Sequence, residues 1–340
     1  MPKPASEQPD SWRAFIKPPA QAKEKEPPLN LDARAQAFLK RIAPLSADLA
    51  AHGRTRALAL KKLHRICQAE VRRLKASYTP ATVKFYLSKY RDSIRAVEPD
   101  HLVLRPRKMR SGQRFSYLAL EPEETRALNE AYHQRIHRDQ SNLIPLDPEA
   151  FIQKALTLLA SDRYLQKGMG LMALTGRRPA EIFFSAKFSL PKKKLPFPAV
   201  IFDGQLKTRQ APGTSSEPYL IPVLADPKKL VQALDTLRDL KSFPSTKAVN
   251  TTTGPQLPKY VSAAFGSLDQ PWKPGHLRSA YGAICCHMFK PQNITDDIFL
   301  AQILGHKLLG PNASLSVGQS YKDFYIRKLD PPFLDRAISG

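Results

Sequence analysis

Near its C-terminal end the chain carries a histidine and two tyrosines whose side chains can act as hydrogen-bond donors or nucleophiles. His306 follows a Leu-Gly pair, and beyond a Gly-Pro-Asn turn Tyr321 and Tyr325 lie four residues apart in QSYKDFYI. That spacing places two side chains on the same face of a helix. Tyrosines on such a face more often belong to a core than act as nucleophiles. This stretch by itself therefore does not distinguish a packing role from a catalytic one.

The stretch TGRRPAEI places two arginines, Arg177 and Arg178, where a guanidinium needs a partner. An apolar helix is predicted to end at Thr175 and Gly176, and a new one to begin near Pro179. Positive charge at a helix start opposes the helix dipole. Glu181, three residues after Arg178, can hold that guanidinium in one orientation. A guanidinium fixed in this way can bind a phosphate through two oxygens at once.

Taken in order, these motifs form a series that resembles the tyrosine recombinases. TGRRPAEI resembles their first conserved box, GQLKTR their β-hairpin lysine, GHLRSAY their second box and LGHK their Leu-Gly-His box. The resemblance implies a set of catalytic residues: Arg178, Lys207, Arg278, His306 and the nucleophile Tyr321. It also makes Glu181 an orienting residue and Tyr325 the alternative nucleophile. It implies neither a metal ion nor any other cofactor.

The second box departs from the usual recombinase pattern. Gly275 and Ser279 stand where that family has histidines three residues before the arginine and directly after it. His276 and Lys273 are close in sequence, and the extra phosphate contact is unassigned between them.

Within the superfamily, TGRRPAEIF, GQLKTR and SYKDFYI are most similar to the telomere resolvases, or protelomerases. This resemblance implies cleavage and rejoining of replicated palindromic telomere DNA through a 3′-phosphotyrosine, which leaves covalently closed hairpin ends. Two alternatives stay open at this point: a conventional tyrosine recombinase or integrase, and a basic protein that binds DNA without cutting it.

The charge balance favours a polyanionic partner. The 340 residues include 53 Lys and Arg against 30 Asp and Glu, a formal net charge of +23. Such an excess is more typical of nucleic-acid binding than of binding to an anionic membrane, although a solvated basic surface is the simpler alternative. We expect double-stranded DNA as the partner, bound by a homodimer, with no nucleotide and no membrane involved.

The compartment is predicted from what the chain lacks. Residues 1–27 are rich in proline and charge without an apolar signal region, so we expect a disordered arm. No run approaches the roughly 20 apolar residues of a membrane span. The three cysteines form no CxxC pair, which favours reduced thiols and a cytoplasmic location and disfavours zinc at Cys285 and Cys286.

Residues 28–118 are predicted to form a helical DNA-binding domain. Two amphipathic helices bury apolar residues at spacings of three and four: Leu60, Leu63, Cys67, Val71, Leu74, then Val83, Leu87, Tyr90, Ile94 and Val97. Their outer faces are basic, apart from Asp48 and Glu70 on the first. The candidate contacts to DNA phosphates are Arg54, Lys61, Arg65, Arg72, Lys84, Arg91, Arg95, Arg107 and Lys108.

For the remaining chain we predict a linker helix over residues 119–141, a catalytic domain over 142–329 and a tail over 330–340. The catalytic domain is predicted to be helical apart from a β-hairpin formed by AVIFDGQLKT and PYLIPVL. The expected fold class is therefore mainly α (α+β): a helical DNA-binding domain followed by a recombinase-like domain with a small antiparallel sheet.

Overall fold

The computed structural model describes residues 31–105, 107–108, 114–206, 217–267, 269–306 and 321–326. The chain divides into two compact units, Met1–Tyr132 and His133–Gly340. Both are mainly helical, and the predicted fold class is confirmed.

The first unit is built from helices and one short β-ladder. Its helices are α1 (Leu31–Ile42), α2 (Ser46–Ala50), α3 (Gly53–Ser77) and α4 (Pro80–Val97), with 3-10 turns at Ala43–Leu45 and Leu102–Leu104. Strands β1 (Arg107–Lys108) and β2 (Arg114–Phe115) pair antiparallel. Helix α5 (Pro122–Ser141) begins in this unit and crosses the boundary at Tyr132.

The predicted apolar stripes of α3 and α4 form the core of this unit, with one error. All predicted members are buried or partly buried except Val97, which is 73% exposed. Val97 is the last residue of α4. Helix α4 begins as predicted: Thr79 accepts a hydrogen bond from the Thr82 backbone N–H, and Pro80 occupies the first helical position.

Glu70 corrects the predicted outer face of α3. Its carboxylate is buried and accepts hydrogen bonds from Arg34 Nε at 3.1 Å and from the Tyr90 hydroxyl at 2.9 Å. Arg41 and Arg73 lie 3.5 Å from the same carboxylate. Glu70 therefore joins α1, α3 and α4 inside the unit instead of lying among the basic residues outside.

The second unit packs helices around α7 (Tyr164–Thr175), whose side chains are almost all buried. Helices α6, α8, α10 and α11 contact it. The helices after α5 are α6 (Pro148–Ala160), α7, α8 (Pro227–Leu240), α9 (Thr246–Thr253), α10 (Leu257–Phe265), α11 (Pro274–Phe289) and α12 (Asp296–Leu304). Helices α9 and α10 were not predicted from the sequence.

The predicted hairpin is present and belongs to a three-stranded antiparallel sheet. Strand β5 (Ala199–Asp203) lies between β4 (Lys187–Ser189) and β6 (Tyr219–Pro222), with Val200 opposite Ile221. A separate parallel pair joins β3 (Ile144–Leu146) to β7 (Phe324–Ile326). The predicted helix after Pro179 is a single π-helical turn, Glu181–Ser185.

Candidate functional site

The first box lies at the C-terminal end of α7 and fixes Arg178. Arg178 NH1 donates to Glu181 Oε1 at 2.8 Å, and the Arg178 backbone N–H donates to Oε2 at 2.9 Å. Glu181 is fully buried, yet charges on Arg177, Arg178 and Arg278 outweigh the effect of burial and lower its pKa. The ionised carboxylate thus orients Arg178 as its spacing predicted.

The hairpin base is attached to the same carboxylate. Glu181 Oε1 also accepts the backbone N–H of Leu206 at 3.2 Å, and Arg178 NH1 reaches the Leu206 carbonyl at 3.5 Å. Gln205 Nε2 donates to the Gly305 carbonyl at 2.5 Å. Lys207 itself lies outside the described residues. The two residues before it are held between the first box and the Leu-Gly-His box.

Arg278 reaches the site from α11 and joins two of the other motifs. Its NH1 donates to the Gly176 carbonyl at 2.5 Å and its NH2 to the Leu304 carbonyl at 2.7 Å. No described residue pairs with its Nε. Burial, with Arg177 and Arg178 nearby, lowers its pKa to about 10. A guanidinium has five N–H donors, so Arg278 keeps donors for an oxyanion while it holds the backbone.

Arg177 has a role that the sequence analysis did not assign. Its side chain is buried, with NH1 on the Tyr219 hydroxyl and NH2 on the Ile303 carbonyl, each at 2.6 Å. The guanidinium also lies over the Phe202 ring, 4.8 Å from its centroid. Of the two adjacent arginines, Arg177 therefore joins the sheet to α12, while Arg178 is presented to the site. The only sequence signal was its place beside Arg178.

Two glycines make these contacts possible. Gly176 has φ +65°, and a Cβ there would lie 2.2 Å from the Tyr281 ring. Gly305 has φ +69°, and a Cβ there would lie 2.1 Å from Gln205 Oε1. In both positions a side chain would meet both an unfavourable backbone conformation and a steric clash.

His306 and Tyr321 lie side by side. Their ring centroids are 5.5 Å apart with the planes at 30°, and the Arg278 guanidinium lies 5.2 Å from the Tyr321 ring centroid. Burial alone would raise the pKa of Tyr321, but the charges and hydrogen bonds of Arg278 and Arg178 outweigh it, and the net shift is downward. The structure thus brings Arg178, Arg278 and His306 to the Tyr321 side chain, and the two arginines favour the ionised form of its phenol.

Tyr325 does not share a helical face with Tyr321, which corrects that prediction. Tyr321 lies in a turn, and Tyr325 is the middle residue of β7, 43% exposed and paired opposite Pro145. Side chains alternate along a strand. Of its two neighbours in the strand, Phe324 is buried and Ile326 is partly buried.

The two candidates for the extra phosphate contact differ in what holds them. Lys273 is an exposed residue directly before α11. His276 is half-buried between Trp272 and Phe324, and its Nδ1 accepts the Lys273 backbone N–H at 3.3 Å. Burial lowers the pKa of His276, which favours the neutral ring. The assignment between the two remains a prediction.

The candidate DNA contacts of the first unit are mostly solvent-exposed: Arg54, Lys61, Arg65, Arg72, Lys84 and Arg95. Four of them lie at intervals of seven and four residues along α3 and so share one face. Arg91 is different, because it is half-buried and its NH1 donates to the Leu118 carbonyl. The side chains of Arg107 and Lys108 lie outside the described residues.

Two other features, a metal site and a membrane-spanning helix, can be assessed in the part of the chain that the structure describes. No group of three or more His, Cys, Asp and Glu side chains there has the arrangement of a metal site. Burial raises the pKa of Cys286 to about 12 and that of Cys285 still more clearly, so both thiols stay protonated. None of the described helices combines the length and apolar character needed to cross a bilayer.

Comparisons with known proteins point to one family. A family model described as the telomere resolvase ResT/TelK catalytic domain matches residues 142–324, more than half of the chain. Protelomerase TelA covalently complexed with substrate DNA is 24% identical with a TM-score of 0.65, over 86% of this chain and 95% of that one. No curated protein matches the sequence.

Two further solved structures are similar. A TelA point mutant complexed with DNA hairpin product is 24% identical with a TM-score of 0.66, over 89% of this chain and 97% of that one. Protelomerase TelK complexed with substrate DNA is 20% identical with a TM-score of 0.52, over 88% of this chain and 60% of that one. At these identities the likeness establishes a shared fold.

Proposed function

Because the chain belongs to the telomere resolvase family, whose catalytic-domain model it matches over residues 142–324, we propose that Tyr321 is the nucleophile of its strand cleavage. Attack by the Tyr321 oxygen on a DNA phosphate forms a 3′-phosphotyrosine bond and breaks the bond to the 5′ oxygen, which leaves as a hydroxyl. Attack by a 5′ hydroxyl on the phosphotyrosine reverses these steps, releases the tyrosine and seals the strand.

The observation that carries this proposal is the electrostatic setting of the Tyr321 phenol. Arg278 and Arg178 together lower its pKa although the side chain is largely buried. The same two cations suit the charge that develops on the nonbridging oxygens during attack. Because a preorganised guanidinium loses little freedom when it binds, the Glu181 and backbone contacts of these arginines favour the transition state.

His306 and Lys207 complete the proposed machinery. The His306 ring lies against Tyr321, where it can donate a hydrogen bond to a nonbridging oxygen. Lys207 is assigned as the general acid that protonates the leaving 5′ oxygen, since burial or neighbouring cations can lower an ammonium pKa toward neutrality. Support comes from Gln205 and Leu206, which are bonded to Gly305 and Glu181 just before it.

The reaction requires neither nucleotide nor metal in this proposal, because the covalent link retains the energy of the broken bond. The partner is double-stranded DNA bearing a palindromic site, cut on opposite strands by two copies of the chain. Each strand then folds back and is sealed to itself. The exposed basic face of α3 is assigned to backbone phosphates. The proposed place of action is the cytoplasm, where such DNA replicates.

The experiment that tests this function uses a nicked duplex that carries the replicated telomere palindrome of the DNA molecule encoding the protein. A nick beside the cleavage site lets the leaving fragment diffuse away, so a covalent protein–DNA adduct accumulates. The wild type should give this adduct in the presence of EDTA and without ATP. Tyr321→Phe should lower it at least ~10³-fold, as expected when a nucleophile is lost. Tyr325→Phe, the matched control, should stay within about threefold of wild type.

Three outcomes would contradict the proposal. An adduct in Tyr321→Phe that disappears in Tyr325→Phe would transfer the nucleophile to Tyr325. Salt-sensitive binding without an adduct in the wild type would favour a protein that only binds DNA. On the intact palindrome, products that snap back after denaturation indicate hairpin ends, whereas strands joined between two separate duplexes would indicate a conventional recombinase.

A further inference from the structure

We propose that Ser279 and Asp323 form a positioning pair that fixes the backbone of the nucleophile segment relative to the phosphate-binding arginine. This inference rests on the proposed role of Tyr321. Ser279 directly follows Arg278 on α11, and Asp323 lies two residues after Tyr321. Their hydrogen bond therefore links the residue next to Arg278 with the segment that carries the attacking oxygen of Tyr321.

The geometry of the contact is that of a strong hydrogen bond. Ser279 Oγ donates to Asp323 Oδ2 at 2.5 Å, within the range of a hydroxyl bonded to an ionised carboxylate. Ser279 is only 1% exposed, so water does not compete effectively for its hydroxyl. The other acceptor near that hydroxyl, the Gly275 carbonyl, is 3.4 Å away. Since a hydroxyl has one proton, Ser279 donates it to Asp323, the nearer of the two acceptors.

Other contacts hold the backbone of the strand that follows Tyr321. The Asp323 carbonyl accepts the Ile144 backbone N–H at 2.8 Å, and β7 continues paired to β3. Phe324 is buried against Trp272, with ring centroids 4.6 Å apart. These contacts lie C-terminal to Tyr321 and should keep β7 in place without the Ser279 hydroxyl. The pair is therefore expected to affect the placement of Tyr321 more than the stability of the fold.

On the Tyr321 side of Asp323, the segment has a weaker tether. Lys322 forms an ion pair with Asp297 of α12 at 3.0 Å, but both side chains are more than a third exposed. Exposed pairs of this kind contribute little. The Ser279 contact is thus a buried side-chain link between the segment that carries Tyr321 and the residue beside Arg278.

The test measures the rate of adduct formation in a single turnover on the nicked palindromic duplex described above, with DNA affinity and thermal unfolding measured in parallel. Ser279→Ala should slow the adduct roughly tenfold to hundredfold, since an error of about 1 Å in placement has effects of that order. DNA affinity should stay within threefold. Thr253→Val is the matched control, because it removes another buried hydroxyl, one that donates to the Val249 carbonyl of its own helix, α9.

Substitutions of Asp323 separate the hydrogen bond from the charge. Asp323→Asn and Asp323→Ala both remove the negative charge, but only the asparagine keeps an oxygen that can accept from Ser279. Asp323→Asn should retain a rate within about fivefold of wild type, while Asp323→Ala should fall to the level of Ser279→Ala. The double variant of Ser279→Ala with Asp323→Ala should be no slower than either single one, as for two members of one contact.

A second substrate distinguishes placement of the nucleophile from protonation of the leaving group. With sulfur in place of the bridging 5′ oxygen, the leaving thiolate needs no general acid. Ser279→Ala should remain as slow on this substrate as on the ordinary one, because the defect lies in the attacking group. Recovery to the wild-type rate would overturn the proposal.

The remaining outcomes are equally decisive. Without an adduct in the wild type, the proposed function fails, whereas a wild-type adduct with Ser279→Ala within threefold of it overturns the positioning pair alone. A loss of rate that parallels a loss of thermal stability, also seen in Thr253→Val, would indicate a structural role. Should Ser279→Ala not fold, equal rates for Asp323→Asn and Asp323→Ala would overturn the pair, and a tenfold difference would support it.

Discussion

Among the residues that the structure describes, each unit buries one glutamate near three arginines and a tyrosine, but the pKa values of the two tyrosines are shifted in opposite directions. In the first unit, the Tyr90 hydroxyl donates to the Glu70 carboxylate, and burial together with that carboxylate raises the pKa of Tyr90. In the second, burial is opposed by Arg278 and Arg178, and the pKa of Tyr321 falls. The same residue types thus produce an inert phenol in one place and an acidic one in the other.

The difference lies in what each carboxylate binds. Glu70 accepts the tyrosine hydroxyl directly, so deprotonation of Tyr90 would place two anions in contact. Glu181 is occupied by Arg178 and by the backbone N–H groups of Arg178 and Leu206. The arginines are thereby held without a carboxylate at the phenol of Tyr321, and their charge acts on its oxygen. Within this fold, the position of the carboxylate separates a cluster that raises the pKa of its tyrosine from one that lowers it.

The largest effect is expected from removal of the carboxylate in the first unit. Glu70→Ala leaves Arg34 and Tyr90 without their shared acceptor in a buried site. A loss of about 3 to 5 kcal/mol is typical when one partner of a buried charged contact is removed. Hydrogen exchange of the α3 and α4 amides in the full chain measures the free energy of opening. Glu130→Ala, at an exposed carboxylate of α5, should change it by less than about 0.5 kcal/mol.

The comparison breaks if these two glutamate variants behave alike. Equal exchange rates in Glu70→Ala and Glu130→Ala would mean that the buried cluster does not hold α1, α3 and α4 together. Unchanged exchange of the α7 amides in Glu70→Ala is the internal control, because α7 belongs to the second unit.

A smaller effect, on rate instead of stability, is expected in the second unit. Glu181→Gln keeps one acceptor oxygen but cannot serve Arg178 and both backbone N–H groups, so Arg178 loses its fixed orientation. Adduct formation on the nicked duplex should slow about 10²-fold while DNA affinity changes little. Glu181→Asp, which keeps the charge but retracts it, should fall between. A wild-type rate of adduct formation in Glu181→Gln would show that the carboxylate does not orient Arg178 for the reaction.

Local patterns in the sequence account for most of the helices, whereas the candidate residues of the site came from the resemblance to the tyrosine recombinases. The Arg178–Glu181 contact follows from a spacing of three, and the hairpin from two alternating segments. The assignment of Tyr321 and Tyr325 to one helix failed because β7 pairs with β3, nearly the whole second unit away in sequence. Neither the Ser279–Asp323 bond nor the inward course of Arg177 has a local signal, since each depends on a distant partner.

The smallest expected effect is a shift in titration, and it addresses the comparison directly. Tyr321 should ionise below the ordinary tyrosine pKa of about 10 and Tyr90 above it. Carbon-13 labelling of the tyrosine ring carbon that bears the hydroxyl allows each titration to be followed by NMR, with Tyr321→Phe and Tyr90→Phe identifying the two signals.

Arg178→Gln removes a cation that favours the Tyr321 phenolate, so the pKa of Tyr321 should rise. Glu70→Gln removes an anion that opposes the Tyr90 phenolate, so the pKa of Tyr90 should fall. If both signals instead titrated together and neither variant moved its tyrosine, the two clusters would be electrostatically equivalent. The reactivity of Tyr321 would then depend on its position beside the phosphate alone.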